Sequence, residues 1–453
     1  MLNNEELSRI LSTKIPPLFI SDIHWRAQDS DKDSLLFYKL KDGDESEAEF
    51  SSRIKQASFT WLIVNKNIKG LPANTTIVEE PQWPKIQKEI LDLLYPMPNI
   101  KLIGITGTNG KTTTADLVLQ LGTLAKKKGL SIGTLGVREY NQTLLDFGLT
   151  SPSYIDLRKY LHLYGQDKNF CVLEASSHAL IQERLFGIQF DASGWTSFSQ
   201  DHLDYHQTME EYFKSKSMIF SKTKKNKPVF VPSEQKNLFN KLKQISEQVS
   251  YAPEITDELP LFFKTQFNKN NLEVAAAIIE SLYGNEMIFD FNKLIPPDGR
   301  FYIQKYKSNY IVVDFAHTPD ALENICKGIK NSFPDYKLKV LFGCGGDRDR
   351  QKRPKMAEVV ARFANETYVT SDNPRSENPE QIIQDIIVGL GSKSFKAIVE
   401  RPLAVQTAFS ELKSHEVLLL AGKGHENYIL INGVKHPYSD IKQVDEFIRR
   451  NKE

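Results

Sequence analysis

The chain between residues 104 and 114 reads GITGTNGKTTT. It begins inside an apolar run at 101–106 that predicts a β-strand, and it leads into a helix-period segment at 111–128. Glycines in such a turn let backbone N–H groups face phosphate oxygens, Lys111 adds a mobile cation, and the Thr112 hydroxyl suits Mg²⁺. The strict GxxxxGK[ST] pattern fails because Ile105 takes the place of its first glycine. We therefore predict a nucleoside triphosphate site, in preference to a Gly-rich turn that binds nothing.

The same alternation of short apolar strands and helices continues after this loop and predicts an α/β fold with a mostly parallel sheet. The further strands are expected at 170–174, 192–198, 229–232, 310–315, 339–343, 366–370 and 417–421. Proline-rich breaks at 95–99 and 296–300 interrupt the pattern. We therefore expect three domains, at 1–97, 98–298 and 299–453.

Composition excludes several functions. The 453 residues include 58 Lys and Arg against 57 Asp and Glu, so the formal charge of +1 offers no general field for nucleic acid. No apolar run approaches the ~18 residues of a membrane span, and the N-terminus has no signal-peptide pattern, which predicts a cytoplasmic protein. The three cysteines form no CxxC pair, which disfavours a disulfide framework or a zinc site.

Two further polar stretches fit metal or proton chemistry. Glu174 ends the strand expected at 170–174, the place where open α/β sheets bind ligands. Residues 201–206 read DHLDYH, with two carboxylates and two imidazoles that suit Mg²⁺ or proton transfer. Capping of the helix expected near Met209 would explain one aspartate but not the whole cluster.

Taken together, the ordered motifs resemble the Mur ligase family, whose members build the peptidoglycan stem peptide with ATP. The resemblance rests on TGTNGKT (106–112), EASSH (174–178), DHLDYH (201–206), DGR (298–300) and DFAHTP (314–319). Two more stretches, GCGGDRD (343–349) with KRP (352–354) and DNPRSE (372–377), are similar to the branch that adds the third amino acid. This resemblance implies a small α/β N-terminal domain that binds the UDP-sugar, a central P-loop-type domain for ATP and a Rossmann-like C-terminal domain for the amino acid.

The implied reaction joins meso-diaminopimelate to UDP-N-acetylmuramoyl-L-alanyl-D-glutamate through an acyl phosphate, in a monomeric enzyme. The ATP-binding residues that the resemblance implies are Gly107, Thr108, Asn109, Gly110, Lys111, Thr112, Thr113, Asn268, Asn271, Arg300, Asp314 and His317. The residues implied for two Mg²⁺ sites are Thr112, Glu174, His202 and a carbamylated Lys216, and those implied to be catalytic are Lys111, Lys216, Glu174 and His202. The positions that match the UDP-muramoyl-dipeptide site are Thr150, Ser151, Ser176 and Arg184, and those that match the amino-acid site are Arg348, Asp372, Asn373, Pro374, Arg375, Gly422 and Glu426.

Two of these assignments have a competing interpretation. By itself, Lys216 would be interpreted as a solvated surface charge. Only its spacing after the 201–206 cluster favours a carbamylated Lys216. Arg375 can pair with the second carboxylate of diaminopimelate, which lysine lacks, whereas Glu426 suits the distal ammonium. A structural salt bridge between Arg375 and Glu377 is the alternative.

The chain also departs from the family pattern. Ser197 stands where the family usually has Asn, and Gln200 where it has Arg. In the first domain, the residues His24, Trp25 and Arg26 are candidates for uridine binding, with ordinary packing an equal alternative.

Two rival functions follow: a related ligase with another amino acid or peptide, or a catalytically silent precursor-binding protein. The joint presence of the four catalytic candidates favours an enzyme.

Overall fold

The structure, a computed structural model, describes residues 1–40, 45–284 and 289–451. Its strands are β1 (Leu2–Asn3), β2 (Phe19–Ile20), β3 (Asp22–His24), β4 (Ser34–Tyr38), β5 (Trp61–Val64), β6 (Thr75–Ile77), β7 (Lys101–Thr106), β8 (Gly129–Gly133), β9 (Gly136–Glu139), β10 (Gln142–Leu145), β11 (Phe170–Glu174), β12 (Ala192–Trp195), β13 (Val229–Val231), β14 (Val249–Tyr251), β15 (Tyr302–Tyr306), β16 (Asn309–Asp314), β17 (Lys337–Phe342), β18 (Glu366–Thr370), β19 (Phe395–Ile398), β20 (Glu416–Ala421), β21 (Tyr428–Ile431) and β22 (Val434–Pro437). Its α-helices are α1 (Asn4–Leu11), α2 (Glu45–Gln56), α3 (Trp83–Leu94), α4 (Lys111–Leu124), α5 (Tyr154–Gly165), α6 (Ser177–Ile181), α7 (Leu203–His206), α8 (Met209–Ser217), α9 (Ile219–Lys222), α10 (Lys236–Lys243), α11 (Gln266–Tyr283), α12 (Pro319–Ser332), α13 (Lys352–Phe363), α14 (Pro379–Ile387), α15 (Arg401–Ser410) and α16 (Asp440–Arg450).

The chain divides into two compact units. The first comprises residues 1–104, 127–191 and 221–224. Its small parallel sheet has the order β3-β4-β5-β6, and its second sheet runs β10-β9-β8-β11-β7. The β4 and β5 strands are buried because their apolar residues are covered by the hydrophobic faces of neighbouring helices such as α3.

The second unit comprises residues 105–126, 192–220 and 225–453. It contains the end of β7 with β12, β13 and β14, and a six-stranded sheet of order β15-β16-β20-β17-β18-β19. Within that sheet β15 is antiparallel, whereas β16, β20, β17, β18 and β19 are mutually parallel. The carboxyl ends of these parallel strands therefore meet at one edge, where the loops after β17, β18 and β20 carry polar motifs.

The predicted α/β class is confirmed, and three predicted strands have the observed bounds: β7, β11 and β18. The helix expected over 111–128 is shorter, since α4 ends at Leu124. The physical reason is local, because Lys126 adopts a left-handed backbone with φ of 58° that a continuing helix excludes. Within the described part of the chain, none of the helices has the length and apolar character needed to cross a bilayer.

Candidate active site

The loop between β7 and α4 is built for close approach of a ligand to its backbone. Gly107 and Gly110 have positive φ angles of 148° and 85°, conformations that a side chain would disfavour. The Lys111 ammonium donates to the carbonyls of Gly107 and Thr108, each at 2.9 Å. The loop thus holds its cation at the N-terminal end of α4, the arrangement expected for binding phosphate.

Residues from elsewhere in the second unit fix this loop. The Ser197 hydroxyl accepts a hydrogen bond from the Asn109 N–H at 2.9 Å and donates one to the Asn109 carbonyl at 3.0 Å. The Asn109 side chain donates to the Asp320 carboxylate at 2.6 Å, and the Ser199 hydroxyl donates to the same oxygen at 2.9 Å. Ser197 is therefore part of the support for the nucleotide loop.

Lys216 is a buried lysine of α8. Only 1% of it is exposed, and its ammonium donates to the Gly107 carbonyl at 2.7 Å. Burial, with a smaller contribution from the positive charge of Lys111, holds the pKa of Lys216 well below its usual value. The alternative interpretation, a solvated surface charge, is wrong.

The polar stretch after β12 forms an ionic group around a buried carboxylate. Asp201 pairs with Lys352 and lies 3.5 Å from the His202 imidazole. Burial alone would raise the pKa of Asp201, but the charges of His202 and Lys352 outweigh it and hold that pKa well below its usual range. The lowered pKa of Asp201 favours its ionised form, and this carboxylate lies beside His202, whose side chain is 43% exposed.

Of the three residues predicted at the nucleotide edge, Arg300 contacts the start of α4, whereas Asp314 and His317 bond backbone groups near it. The Arg300 guanidinium lies 4.6 Å from the Phe315 ring centre and donates to the Thr112 hydroxyl at 3.4 Å. Asp314 accepts from the backbone N–H groups of Phe301 and Ala316, both at 2.8 Å, so it shapes the turn that carries Arg300. The His317 ring contacts the Phe315 carbonyl at 2.8 Å.

The two asparagines of α11 have different surroundings. Asn271 lies beside the loop, so close that a methyl group on Gly110 would come within 2.4 Å of its Oδ1. The Asn268 amide instead donates to the Phe262 carbonyl at 3.1 Å. The structure therefore brings Asn271 directly to the nucleotide loop and gives Asn268 a partner in its own segment.

The residues predicted for the UDP-muramoyl-dipeptide form a polar cluster in the first unit. The Ser151 hydroxyl donates to the Glu174 carbonyl at 2.6 Å and contacts the Ser176 hydroxyl at 3.1 Å. Arg184 donates to the Ser151 carbonyl at 2.8 Å. The Glu174 carboxylate accepts from the Thr134 N–H and hydroxyl at 2.8 and 3.1 Å, and that hydroxyl lies 3.2 Å from the Thr150 hydroxyl. These candidates are thus neighbours at the carboxyl end of β11.

Arg375 stands in a constrained loop after β18. Its φ angle is 53°. Its backbone N–H donates to the Leu430 carbonyl at 3.0 Å, and its carbonyl accepts from the Asn432 N–H at 2.8 Å, both in the β21–β22 hairpin. The guanidinium donates to the Gly346 carbonyl at 2.7 Å. Glu377 pairs with Arg350 and Arg353 at 2.9 and 2.8 Å, so the salt bridge offered as the alternative for Arg375 is not formed.

Two cavities adjoin this loop within the second unit. One, of about 560 Å³, is lined by Pro374 and Arg375 together with residues of β21 and the start of α15. The other, of about 530 Å³, is lined by Arg348 and its neighbours with Ser376 and Glu377. Arg348 and Arg375 therefore each line one of these two cavities.

The other amino-acid candidates surround one buried cation, Lys423, which is completely shielded from solvent. Its ammonium donates to Asp372, Asn373 and Glu426. Gly422, with φ of 110°, passes Asp372 so closely that an added methyl would lie 3.2 Å from its carboxylate. Lys423 is not among the predicted site residues, although it lies between Gly422 and Glu426 in the stretch GKGHE at 422–426.

In the first unit the three uridine candidates each have a carboxylate partner. His24 lies 3.1 Å from Asp22 and Arg26 lies 2.8 Å from Asp29. The Trp25 indole N–H donates to Asp156 at 2.6 Å, while 36% of the residue stays exposed. Their assignment to uridine stays a prediction.

Gly110 allows a direct test of the loop. In Gly110→Ala we expect the dissociation constant for ATP to rise at least about tenfold, because left-handed strain costs about 1–2 kcal/mol and the methyl also meets Asn271. Gly391→Ala is the control, since Gly391 has φ of 58° but no atom within 4 Å of the added methyl. Calorimetric titration with ATP should separate the two variants, and equal ATP affinity in both would contradict a role of the loop in binding.

Comparison with known families gives two matches along the chain. Residues 105–287 match the Mur ligase middle domain, and residues 299–424 match the Mur ligase, glutamate ligase domain. The UDP-N-acetylmuramoyl-L-alanyl-D-glutamate--2,6-diaminopimelate ligase 1 of Clostridium acetobutylicum is 31% identical over 91% of this chain and 92% of that protein. The corresponding ligase of Aquifex aeolicus is 36% identical over 78% of each chain.

Solved structures give a similar result. A structure of UDP-N-acetylmuramoyl-L-alanyl-D-glutamate--2,6-diaminopimelate ligase is 26% identical, covers 99% of both chains and has a TM-score of 0.62. The MurF ligase from Thermotoga maritima in complex with ADP is 14% identical, covers 95% of this chain and 97% of its own, and has a TM-score of 0.64. The second likeness concerns the fold alone.

Proposed function

Because this chain belongs to the Mur ligase family, we propose that it joins meso-diaminopimelate to UDP-N-acetylmuramoyl-L-alanyl-D-glutamate at the expense of ATP. It is an ATP-dependent acid–amino-acid ligase of peptidoglycan synthesis. The relatives named for this reaction, including those at 31% and 36% identity, support the substrates. The observation that carries the choice of amino acid is Arg375, which lines a cavity and lies in the same loop after β18 as Asp372 and Asn373, the partners of Lys423.

An amine cannot displace hydroxide from a carboxylate at neutral pH, so the carboxylate must first be activated. The terminal carboxylate of the dipeptide attacks the γ-phosphorus of ATP, and ADP leaves, so an acyl phosphate forms. The α-amine of diaminopimelate then attacks the acyl carbon, loses a proton and expels phosphate. Lys111 and Arg300 bring positive charge to the nucleotide loop, and their charges favour the transfer.

The donor set fits magnesium. Thr112, Glu174, His202 and a carbamylated Lys216 would hold Mg²⁺ at two sites, through hydroxyl, carboxylate, imidazole and carbamate groups. Within the ranges that the structure describes, no three His, Cys, Asp or Glu side chains gather into a metal cluster. Mg²⁺ usually takes one or two protein carboxylates and completes its shell with water and substrate phosphates. When bound, Mg²⁺ neutralises the charge of the phosphates.

We assign the steps to the three predicted domains. Residues 1–97 bind the UDP-sugar, residues 98–298 bind ATP, and residues 299–453 bind the amino acid. The family matches at 105–287 and 299–424 support the boundary near 298. We further propose that the enzyme acts as a monomer in the cytoplasm.

One assay tests this function. Purified protein is mixed with ATP, Mg²⁺ and UDP-N-acetylmuramoyl-L-alanyl-D-glutamate, and phosphate release is measured with meso-diaminopimelate, with L-lysine and with neither. We expect release that depends on meso-diaminopimelate. Release with L-lysine alone would reject the assigned amino acid, and absence of release with both would leave the precursor-binding protein as the better explanation.

A further inference from the structure

We propose that Lys423 is a positioning residue that sets the amino-acid site for a substrate with a distal ammonium group. The proposal rests on the proposed function and adds to it a residue with no assigned role. Lys423 follows β20 and lies in the loop that also carries Gly422 and Glu426. It is fully buried, so its charge has no water to stabilise it and must be matched by protein groups.

The partners of Lys423 use its whole donor capacity. An ammonium group has three N–H donors, and here they meet three acceptors: Asp372 at 3.1 Å, Asn373 Oδ1 at 2.9 Å and Glu426 Oε2 at 2.8 Å. All three partners are residues predicted to contact the amino acid. A cation with every donor engaged is fixed in place, and it fixes its acceptors in turn.

These bonds also decide which way the partners point. Asn373 Oδ1 accepts from Lys423 and from the Leu430 N–H at 2.9 Å, so the amide nitrogen must face the other way. That nitrogen donates to Glu426 Oε2 at 2.8 Å. Glu426 Oε2 therefore receives two donors, which leaves Oε1 as the oxygen that can accept from a ligand.

The charge of the group matches the proposed ligand. Two carboxylates, Asp372 and Glu426, surround one ammonium, so the group keeps one net negative charge. A single ammonium of the substrate would balance it. Arg375, on the adjacent loop, would meet the distal carboxylate, so the two ends of the amino-acid side chain would be recognised by opposite charges.

The test compares two amino acids that differ at the distal ammonium. In Lys423→Met we expect the KM for meso-diaminopimelate to rise at least about tenfold, since Glu426 loses its orientation. The KM for 2-aminopimelate, which keeps the distal carboxylate but lacks the distal ammonium, should change less than about threefold, and so should the KM for ATP. Lys423→Gln keeps part of the hydrogen bonding and should give an intermediate KM for meso-diaminopimelate.

Lys339 provides a matched control. It is also a buried lysine, 3% exposed at its side chain, paired with Glu366 at 2.9 Å and Glu416 at 3.1 Å. However, these residues lie at the opposite, amino-terminal ends of β17, β18 and β20. Lys339→Met should therefore lower the melting temperature without changing the KM for meso-diaminopimelate.

The outcomes separate this proposal from the proposed function. Wild-type turnover with meso-diaminopimelate reports on the function, whereas the ratio of variant to wild-type KM reports on Lys423. If the folded Lys423→Met or Lys423→Gln variant keeps the wild-type KM, or if the KM values for meso-diaminopimelate and 2-aminopimelate rise equally, the positioning role is rejected while the function stands. Folding is checked by circular dichroism, and Lys423→Gln serves if Lys423→Met does not fold.

Discussion

Replacing Lys216 with alanine is expected to lower kcat by about 10²–10³-fold, the usual cost of removing one group that stabilises transition-state charge. Lys216 is buried against the Gly107 carbonyl, and its lowered pKa increases the fraction of unprotonated amine. That amine can attack the carbon of CO₂ and lose a proton, which leaves a carbamate anion near the nucleotide loop. Added formate or acetate should partly restore the activity of Lys216→Ala, because a small carboxylate can replace the carbamate.

Lys214 is the control for this variant, since it belongs to the same helix but is 78% exposed. Lys214→Ala should keep wild-type kcat. Depletion of CO₂ and bicarbonate should lower wild-type activity reversibly, and acid should do the same, because a protonated amine cannot take up CO₂. If Lys216→Ala turns over normally, or if depletion changes nothing, the carbamate role is wrong.

Replacing Arg375 with methionine is expected to raise the KM for meso-diaminopimelate at least about 30-fold, since truncating one partner of a buried charge pair costs about 2 kcal/mol or more. A guanidinium has five N–H donors, and one is used on the Gly346 carbonyl, so others can bind a carboxylate. The left-handed backbone costs methionine about as much free energy as it costs arginine. The variant therefore reports the effect of losing the guanidinium alone.

Steady-state kinetics with meso-diaminopimelate and with L-lysine check this prediction. The preference for meso-diaminopimelate over L-lysine should fall in Arg375→Met. Only meso-diaminopimelate has a distal carboxylate, so only its binding loses the partner that Arg375 provides. Arg362→Met is the control, as Arg362 is an exposed residue of α13 paired with Glu323. An unchanged preference in Arg375→Met would show that other residues select the amino acid.

Much of the nucleotide loop could be read from local sequence. The apolar run of β7, the glycines and the start of α4 lie within a few residues of one another, and short-range geometry decides such turns. The same is true of Glu174, which ends its strand as expected. The end of α4 was missed because one left-handed residue, Lys126, overrides an otherwise helical pattern.

The supports of the site could not be read in this way. Asn109 bonds Asp320, which lies 211 residues further along the chain, and no periodicity or motif relates the two. Burial of Lys216 likewise depends on Gly107, 109 residues away, so the sequence left a solvated lysine open as an alternative. The salt bridge considered for Arg375 failed because Arg350 and Arg353 hold Glu377 instead.

By itself, therefore, the sequence determined the α/β class, the family and the residues that bring charge to phosphate and carboxylate groups. Only the tertiary structure decided how those charges are neutralised and oriented. The reason is physical: a motif specifies which groups are available, but the burial of a charge such as Lys423 and the choice of its three acceptors depend on segments about 50 residues apart that meet at one edge of a sheet.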